Sequence, residues 1–263
     1  MRKTLGFALG AGGSRGIAHI GFLKAMEEEG IRPDMIAGTS MGSIVGACYA
    51  KGMTPAEMEE VAKKLRAGDI FDLGILPLNT LGLMKWNKAR RMIAGLLEDA
   101  QFEHLQIPFR CVAVDLRSAK LHLFSQGSVV DAVLASSSAP TLFRPVETEE
   151  GLFIDGSILC RVPVRQVREM GAQVVVAVDV LGGCEHIEKI PNMIALIARV
   201  YEIMDSALTA TEHRRCRRFV DLWLEPELGD MQQFAFKNLD RALEAGYALG
   251  KQYAPKIRAL VGE

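Results

Sequence analysis

The sequence is poor in the side chains that most often carry catalysis. Its 263 residues include five histidines and five cysteines. The cysteines (Cys48, Cys111, Cys160, Cys184 and Cys216) are widely spaced and form no C-x-x-C pair. Neither a disulfide framework nor a zinc site is indicated, so reduced thiols of a cytoplasmic protein are expected and no metal is called for. Cys48 and Cys111 lie in apolar runs and read as small core residues. No uninterrupted run of about 18 apolar residues occurs, which argues against a spanning helix. Met1-Arg2-Lys3-Thr4 leads directly into a strand-like run broken by glycines, so no signal peptide is expected. The formal net charge is -1, which gives no global field to attract nucleic acid, and none is expected as a partner. What is present is apolar substance: 49% of the residues are hydrophobic, enough for one α/β domain with a full core. One domain over residues 1–263 is the simplest reading.

Strand-like and helix-like segments alternate. Leu5 to Leu9 reads as a buried strand, followed by a glycine turn and a helix from about Arg15 to Glu28, with Ala18, Gly21, Phe22 and Ala25 on its core face. Gly30 is placed to cap that helix. Met35-Ile36-Ala37 is a second strand, and a second helix runs to Lys51 before Gly52. Thr54-Pro55 with Glu57 marks a helix start. Residues Gly68 to Leu83, rich in Gly, Leu and Pro, read as a mobile loop. Further strands are expected at Arg110–Val114, Lys120–Phe124, Leu152–Ile154, Val174–Val178 and Phe219–Leu224. Helices are expected at Val129–Ala135, Pro163–Met170, Met193–Arg218 and Asp240–Leu260. In the Met193–Arg218 helix, Met193, Ile197, Val200, Met204 and Leu208 form an apolar stripe. This alternation predicts an α/β fold with three α/β/α layers and a mostly parallel central sheet.

Three segments carry chemistry. Gly38-Thr39-Ser40-Met41-Gly42 is a G-x-S-x-G between a strand and a helix. Such a turn thrusts the serine hydroxyl out of the sheet, its glycines letting the chain double back, and the next helix aims its positive end at the site. The loop Gly10-Ala11-Gly12-Gly13-Ser14-Arg15-Gly16 can converge several backbone N–H groups on one point, as an oxyanion hole requires. A dinucleotide loop is the rival reading, but that use wants an acid at the end of the second strand, where Gly38-Thr39-Ser40 stands instead. A P-loop fails for want of a Gly-Lys-Ser/Thr. The third segment is Asp155-Gly156, directly after Leu152-Phe153-Ile154. A carboxylate ending a buried strand wants a partner or a task, although Asp-Gly is also a common turn pair. Of the histidines, His186 and His213 are late enough for a Ser-Asp-His order, but both read as solvent-exposed. His19 is close enough to the glycine loop to support it.

Taken in order, Gly12-Gly13-Ser14-Arg15-Gly16, Gly38-Thr39-Ser40-Met41-Gly42 and Asp155-Gly156 resemble the blocks of the patatin-like phospholipase family, specifically its compact bacterial members. The stretch Ala135-Ser136-Ser137-Ser138-Ala139-Pro140, with Phe143 and Pro145, is similar to a further block, and the likeness spans about Leu5 to Val180. The resemblance implies a Ser-Asp dyad, with Ser40 as nucleophile and Asp155 as base. It also implies an oxyanion hole at Gly12, Gly13, Ser14 and Arg15, the Arg15 side chain bracing the loop, with Gly10, Gly16, Gly38, Gly42 and Gly156 supporting the turns. It implies no cofactor, and a lipid acyl ester as substrate. Two positions depart from the pattern: Ser157 stands where Gly or Ala is usual, and Ala11 replaces a glycine. A general carboxylesterase or thioesterase, and a nucleotide-binding regulator, remain the alternatives. Leu73–Trp86 reads equally as lid, acyl groove or core. Arg214-Arg215-Cys216-Arg217-Arg218 fits either anionic headgroups at a membrane surface or a solvated helix end. The long helix before it is the element on which a homo-oligomer would be built.

Overall fold

The structure, a computed structural model, describes residues 2–70, 86–140, 142–184, 186–234 and 238–262. Eight strands form one sheet: β1 (Leu5–Leu9), β2 (Met35–Gly38), β3 (Phe109–Asp115), β4 (Lys120–Phe124), β5 (Val146–Thr148), β6 (Gly151–Asp155), β7 (Val174–Val178) and β8 (Leu222–Leu224). Their order is β5-β6-β3-β2-β1-β7-β8, with β4 also on β3. The run β3-β2-β1-β7-β8 is parallel, and β4, β5 and β6 join antiparallel at one side. The mostly parallel sheet expected from the alternation is therefore present. Its central strands are buried along their whole length, as crossovers on both faces require.

On one face lie α1 (Ala18–Glu28), α2 (Met41–Lys51), α3 (Pro55–Lys64), α5 (Asn87–Leu97), α6 (Val129–Ser136) and α9 (Leu239–Val261), packed on alternate strand residues such as Phe7, Leu9, Val176 and Val178. The other face, including Ala8, Ala37, Val175 and Ala177, is covered by α7 (Val164–Glu169) and the end of α8 (Met193–Cys216). A short α4 (Ala67–Ile70) follows α3, and the rest of the loop expected at Gly68–Leu83 lies outside the described residues. Thr54 and Glu57 form a reciprocal capping box at the start of α3, as their spacing predicts. Among the described residues no helix is long and apolar enough to cross a membrane.

One expectation is corrected. The helix expected from Arg15 begins as a 3-10 turn over Gly13–Ile17, and the α-helix proper starts at Ala18. Gly13 at φ 53° and the Arg15 N–H donating back to the Gly12 carbonyl wind this segment too tightly for α geometry. The spacing in α8 named an apolar stripe without saying what it meets. Its apolar stripe does not face the core: Met193 is 68% exposed and Met204 66%, and Ile197 and Val200 are exposed too. The inward residues are Tyr201, Asp205 and Thr209, because the surface beneath them is polar.

Candidate active site

Strand β3 sets the geometry of the site. Gly38, the last residue of β2, is in register with Cys111, and Asp155, the last residue of β6, with Ala113. Two residues beyond Gly38, Ser40 is level with Asp155 across β3. Ser40 has φ 52° and ψ -125°, a conformation open mainly to glycine. The turn is held by its neighbours: the Ser40 N–H donates to Ser136 Oγ at 2.9 Å and the Ser43 hydroxyl to the Ser40 carbonyl at 2.6 Å. Gly42 is required by contact, since a Cβ there would stand 2.2 Å from the Leu9 carbonyl oxygen.

The Ser40 hydroxyl donates to Asp155 Oδ2 at 2.7 Å. The other carboxylate oxygen, Oδ1, accepts the Ser157 N–H at 2.8 Å, and the Asp155 N–H donates to the Ser138 carbonyl. Asp155 is 3% exposed. Burial raises its pKa to about 6, against the opposing pull of the Ser157 N–H and the Ser40 hydroxyl, and with Asp205 adding a small repulsion.

The glycine loop is placed against this pair, but not all its amides are free. The Ser14 N–H is taken by the Gln233 carbonyl and the Arg15 N–H by that of Gly12. Those two expected hole donors are therefore spent, one on a distant segment and one on the loop's own turn. Among the described residues, the amides of Gly12 and Gly13 have no acceptor, nor does that of Met41 at the start of α2. Gly13 and Met41 border the same cavity as Ser40 and Asp155. Arg15 reaches the carbonyls of Val180 (2.8 Å) and Met231 (3.1 Å) and so ties the loop to both following segments.

The histidines are elsewhere or otherwise engaged. His19 is buried, with Nε2 2.8 Å from the Gly10 carbonyl, and burial lowers its pKa to about 4. A neutral ring must carry its proton on Nε2 to make that bond, so it buttresses the loop as a donor. His213 is half-buried and stacked on Trp223, not solvated as expected, and His186 is exposed. Neither lines the cavity holding the Ser40–Asp155 pair.

The cavity holding the pair has overwhelmingly apolar walls. Helix α2 contributes Met41, Ile44, Val45 and Cys48. Helix α3 contributes Met58, Val61 and Ala62, and Leu65 follows at its C-cap. Helix α5 contributes Ala89, Met92, Ile93 and Leu96. Each set has the i, i+3, i+4, i+7 spacing of one helix face. Trp86, stacked on Phe143 and donating to Ser138 Oγ and the Arg144 carbonyl, stands beside the mouth. Residues 71–85, most of the expected lid or groove at Leu73–Trp86, lie outside the described residues.

Sequence reading passed over two contributors. Ser136 was noted as part of a block, without the role its Oγ has beneath Ser40. Tyr201 of α8 lines the cavity and its hydroxyl meets Ser157 Oγ at 2.8 Å, so the unusual serine at 157 has a partner. A tyrosine one residue after an apolar stripe position gave no signal of its own. Nearby, Arg161 joins Asp205 of α8 (2.9 Å) to Asp179 (2.7 Å) in a buried trio.

The patatin-like phospholipase family model matches residues 7–168. A lysophospholipase of Aspergillus fumigatus is 29% identical over 98% of this chain and 18% of its own length. An uncharacterized NTE family protein of Mycobacterium tuberculosis is 29% identical over 93% of this chain and 45% of its own. The chain thus spans less than half the length of these curated relatives. Among solved structures, VipD of Legionella pneumophila superposes with a TM-score of 0.54 at 15% identity, covering 97% of this chain and 67% of that one. ExoU in its complex with SpcU, from the type III secretion system of Pseudomonas aeruginosa, gives 0.53 at 13%, covering 100% and 52%. At those identities the two structures speak for the fold alone. The family match covers more than half the chain, including all three motif segments, and the chain belongs to the patatin-like phospholipase family.

Proposed function

We propose that the protein is a serine acyl hydrolase that cleaves fatty acyl esters of lipids, of phospholipid or lysophospholipid type, through a Ser40–Asp155 dyad. The observation that carries this reading is the 2.7 Å hydrogen bond from the Ser40 hydroxyl to a buried carboxylate, both lining one apolar cavity. Ser40 Oγ attacks the ester carbonyl carbon while its proton passes to Asp155 Oδ2. The oxyanion is received by the amides of Gly12, Gly13 and Met41, with the positive end of α2 behind them. As the intermediate collapses, the C–O bond to the alcohol breaks and the leaving oxygen takes the proton from Asp155. Water then attacks the acyl-Ser40 ester, giving its proton to Asp155, which returns it to Ser40 Oγ as the fatty acid leaves.

An unperturbed aspartate is a weak base for a hydroxyl. The rise from 3.8 to about 6 narrows that gap by about 3 kcal/mol, at about 1.36 kcal/mol per pH unit. Each well-placed hole donor contributes about 2.7–4 kcal/mol to transition-state stabilisation, so the amides carry more of the acceleration than the base. A general carboxylesterase or thioesterase would use the same chemistry. The apolar cavity favours a fatty acyl chain over a short polar one. The test is labelling by a fluorophosphonate with mass mapping, on wild type and Ser40→Ala. Label on Ser40, with loss of lipid ester hydrolysis in the variant, is expected. Hydrolysis persisting in Ser40→Ala would overturn the assignment.

A further inference from the structure

We propose that the three-helix cavity is a ruler for a single acyl chain, with the ester held at Ser40 and the methyl end stopped by Cys48, Met58 and Leu96. The proposal rests on the hydrolase reading above and adds a limit to the substrate that reading admits.

The direction of each lining helix follows from its contacts. Ser40 is the residue before α2, so Met41 is at the catalytic end and Cys48 seven residues away, about 10.5 Å along the axis. Helix α5 runs the same way. Its entry residue Trp86 is bonded to Ser138 and the Arg144 carbonyl, in the segment that also supports Ser40. Its exit is tied to the exit of α2: Lys51 Nζ donates to the Leu96 carbonyl at 3.2 Å and pairs with Glu98 at 2.8 Å. Helix α3 runs back. It starts just after the Gly52 cap of α2, and the segment following it returns to α5's entry, where Lys88 Nζ meets the Gly68 carbonyl at 2.8 Å.

Lining residues therefore sort by depth. Of the lining residues, Met41, Leu65 and Ala89 are at the Ser40 end of their segments, and Cys48, Met58 and Leu96 at the opposite end. Beyond that end the two helices reach the surface, where Lys51 pairs with the largely exposed Glu98. Between the two ends the wall is apolar on all three helices, with no polar group among the described residues of those helices that could take a headgroup. A chain that fits gains burial with each methylene, and a chain too long must leave carbons in water or strain the floor. Methionine at the floor makes the stop yielding, so the limit is a slope over a few carbons.

The test compares kcat/KM for p-nitrophenyl butyrate, octanoate, dodecanoate and palmitate in wild type, Cys48→Phe, Leu96→Phe and Met58→Ala, with Ser40→Ala as control. Each added ring should cut the palmitate-to-butyrate ratio by at least about tenfold, and Met58→Ala should raise palmitate relative to octanoate. Because Cys48 and Leu96 are on different helices, and Met58→Ala removes volume, no single folding defect can produce this pattern. Unchanged ratios in the filled variants, or an unmoved profile in Met58→Ala, would overturn the ruler while leaving the dyad standing. Turnover surviving in Ser40→Ala would instead remove the reading beneath it.

Discussion

At the scale of single residues, the site holds two side chains in states that cost stability. Ser40 occupies a backbone region costing about 1–3 kcal/mol for a residue with a Cβ. Ser40→Gly should therefore be more stable than Ser40→Ala by about 1 kcal/mol or more in urea unfolding, though neither hydrolyses esters. Asp155 has a pKa raised by burial to about 6, so the native state binds its proton more tightly than the unfolded chain does. That stabilisation is complete below pH 4 and lost as pH rises through 6. Asp155→Asn, which resembles the protonated acid, should melt higher than wild type at pH 8, by the equivalent of about 1–3 kcal/mol. The gap should close as pH falls through 6 to 4. Under the proposed dyad the same titration governs activity: only the carboxylate could accept a proton from Ser40, so kcat/KM should fall on the acid side with a midpoint near pH 6. A midpoint near 4 would show that burial does not tune this base.

At the scale of elements, α8 shows what pattern reading misses. Its stripe of Met193, Ile197, Val200 and Met204 has core-like spacing, yet these side chains face out, and the helix is held from below by polar contacts. Tyr201 meets Ser157, and Asp205 meets Arg161. Periodicity names the apolar side of a helix but assumes that the surface receiving it is apolar. Here Arg161 and Ser157 belong to the segment after β6, and nothing in the sequence announces that α8 crosses it. Arg161→Met should destabilise the fold by about 3–5 kcal/mol in chemical denaturation, because two buried carboxylates lose their shared cation. Replacing Asp179 and Asp205 by Asn in the same chain should recover much of that loss, since burial without charge is tolerated. The other elements were legible for physical reasons. Strands β1 and β7 are unbroken apolar runs, Gly30 and Gly52 take the left-handed conformation their positions suggest, and the capping box at Thr54 is local.

At the scale of the molecule, the two ends of the chain are bound together. Helix α1 crosses α9 where two glycines meet: a Cβ at Gly246 would stand 1.8 Å from the Ala18 carbonyl oxygen, and one at Gly21 2.0 Å from that of Leu243. The Lys3 N–H donates to the Val261 carbonyl. Gly246→Ala gains about 1 kcal/mol of helix propensity but must force the helices apart. The contact should win, lowering the urea midpoint by the equivalent of about 2 kcal/mol. The candidate site was legible in its reacting groups, since Asp155 ends a strand and Ser40 stands in the turn between a strand and a helix. Its donors were legible only in part. Which amides of the Gly10–Gly16 loop remain free depends on where Gln233 lands, more than 200 residues away.

The registry of β3 has one last consequence. The hydroxyl and the carboxylate come from segments 115 residues apart and are aligned only once β2 and β6 have both zipped onto that strand. A chain emerging from the ribosome, or one caught half assembled, has Ser40 without Asp155 beside it. On the reading proposed above, such a chain has no working dyad until the sheet is complete.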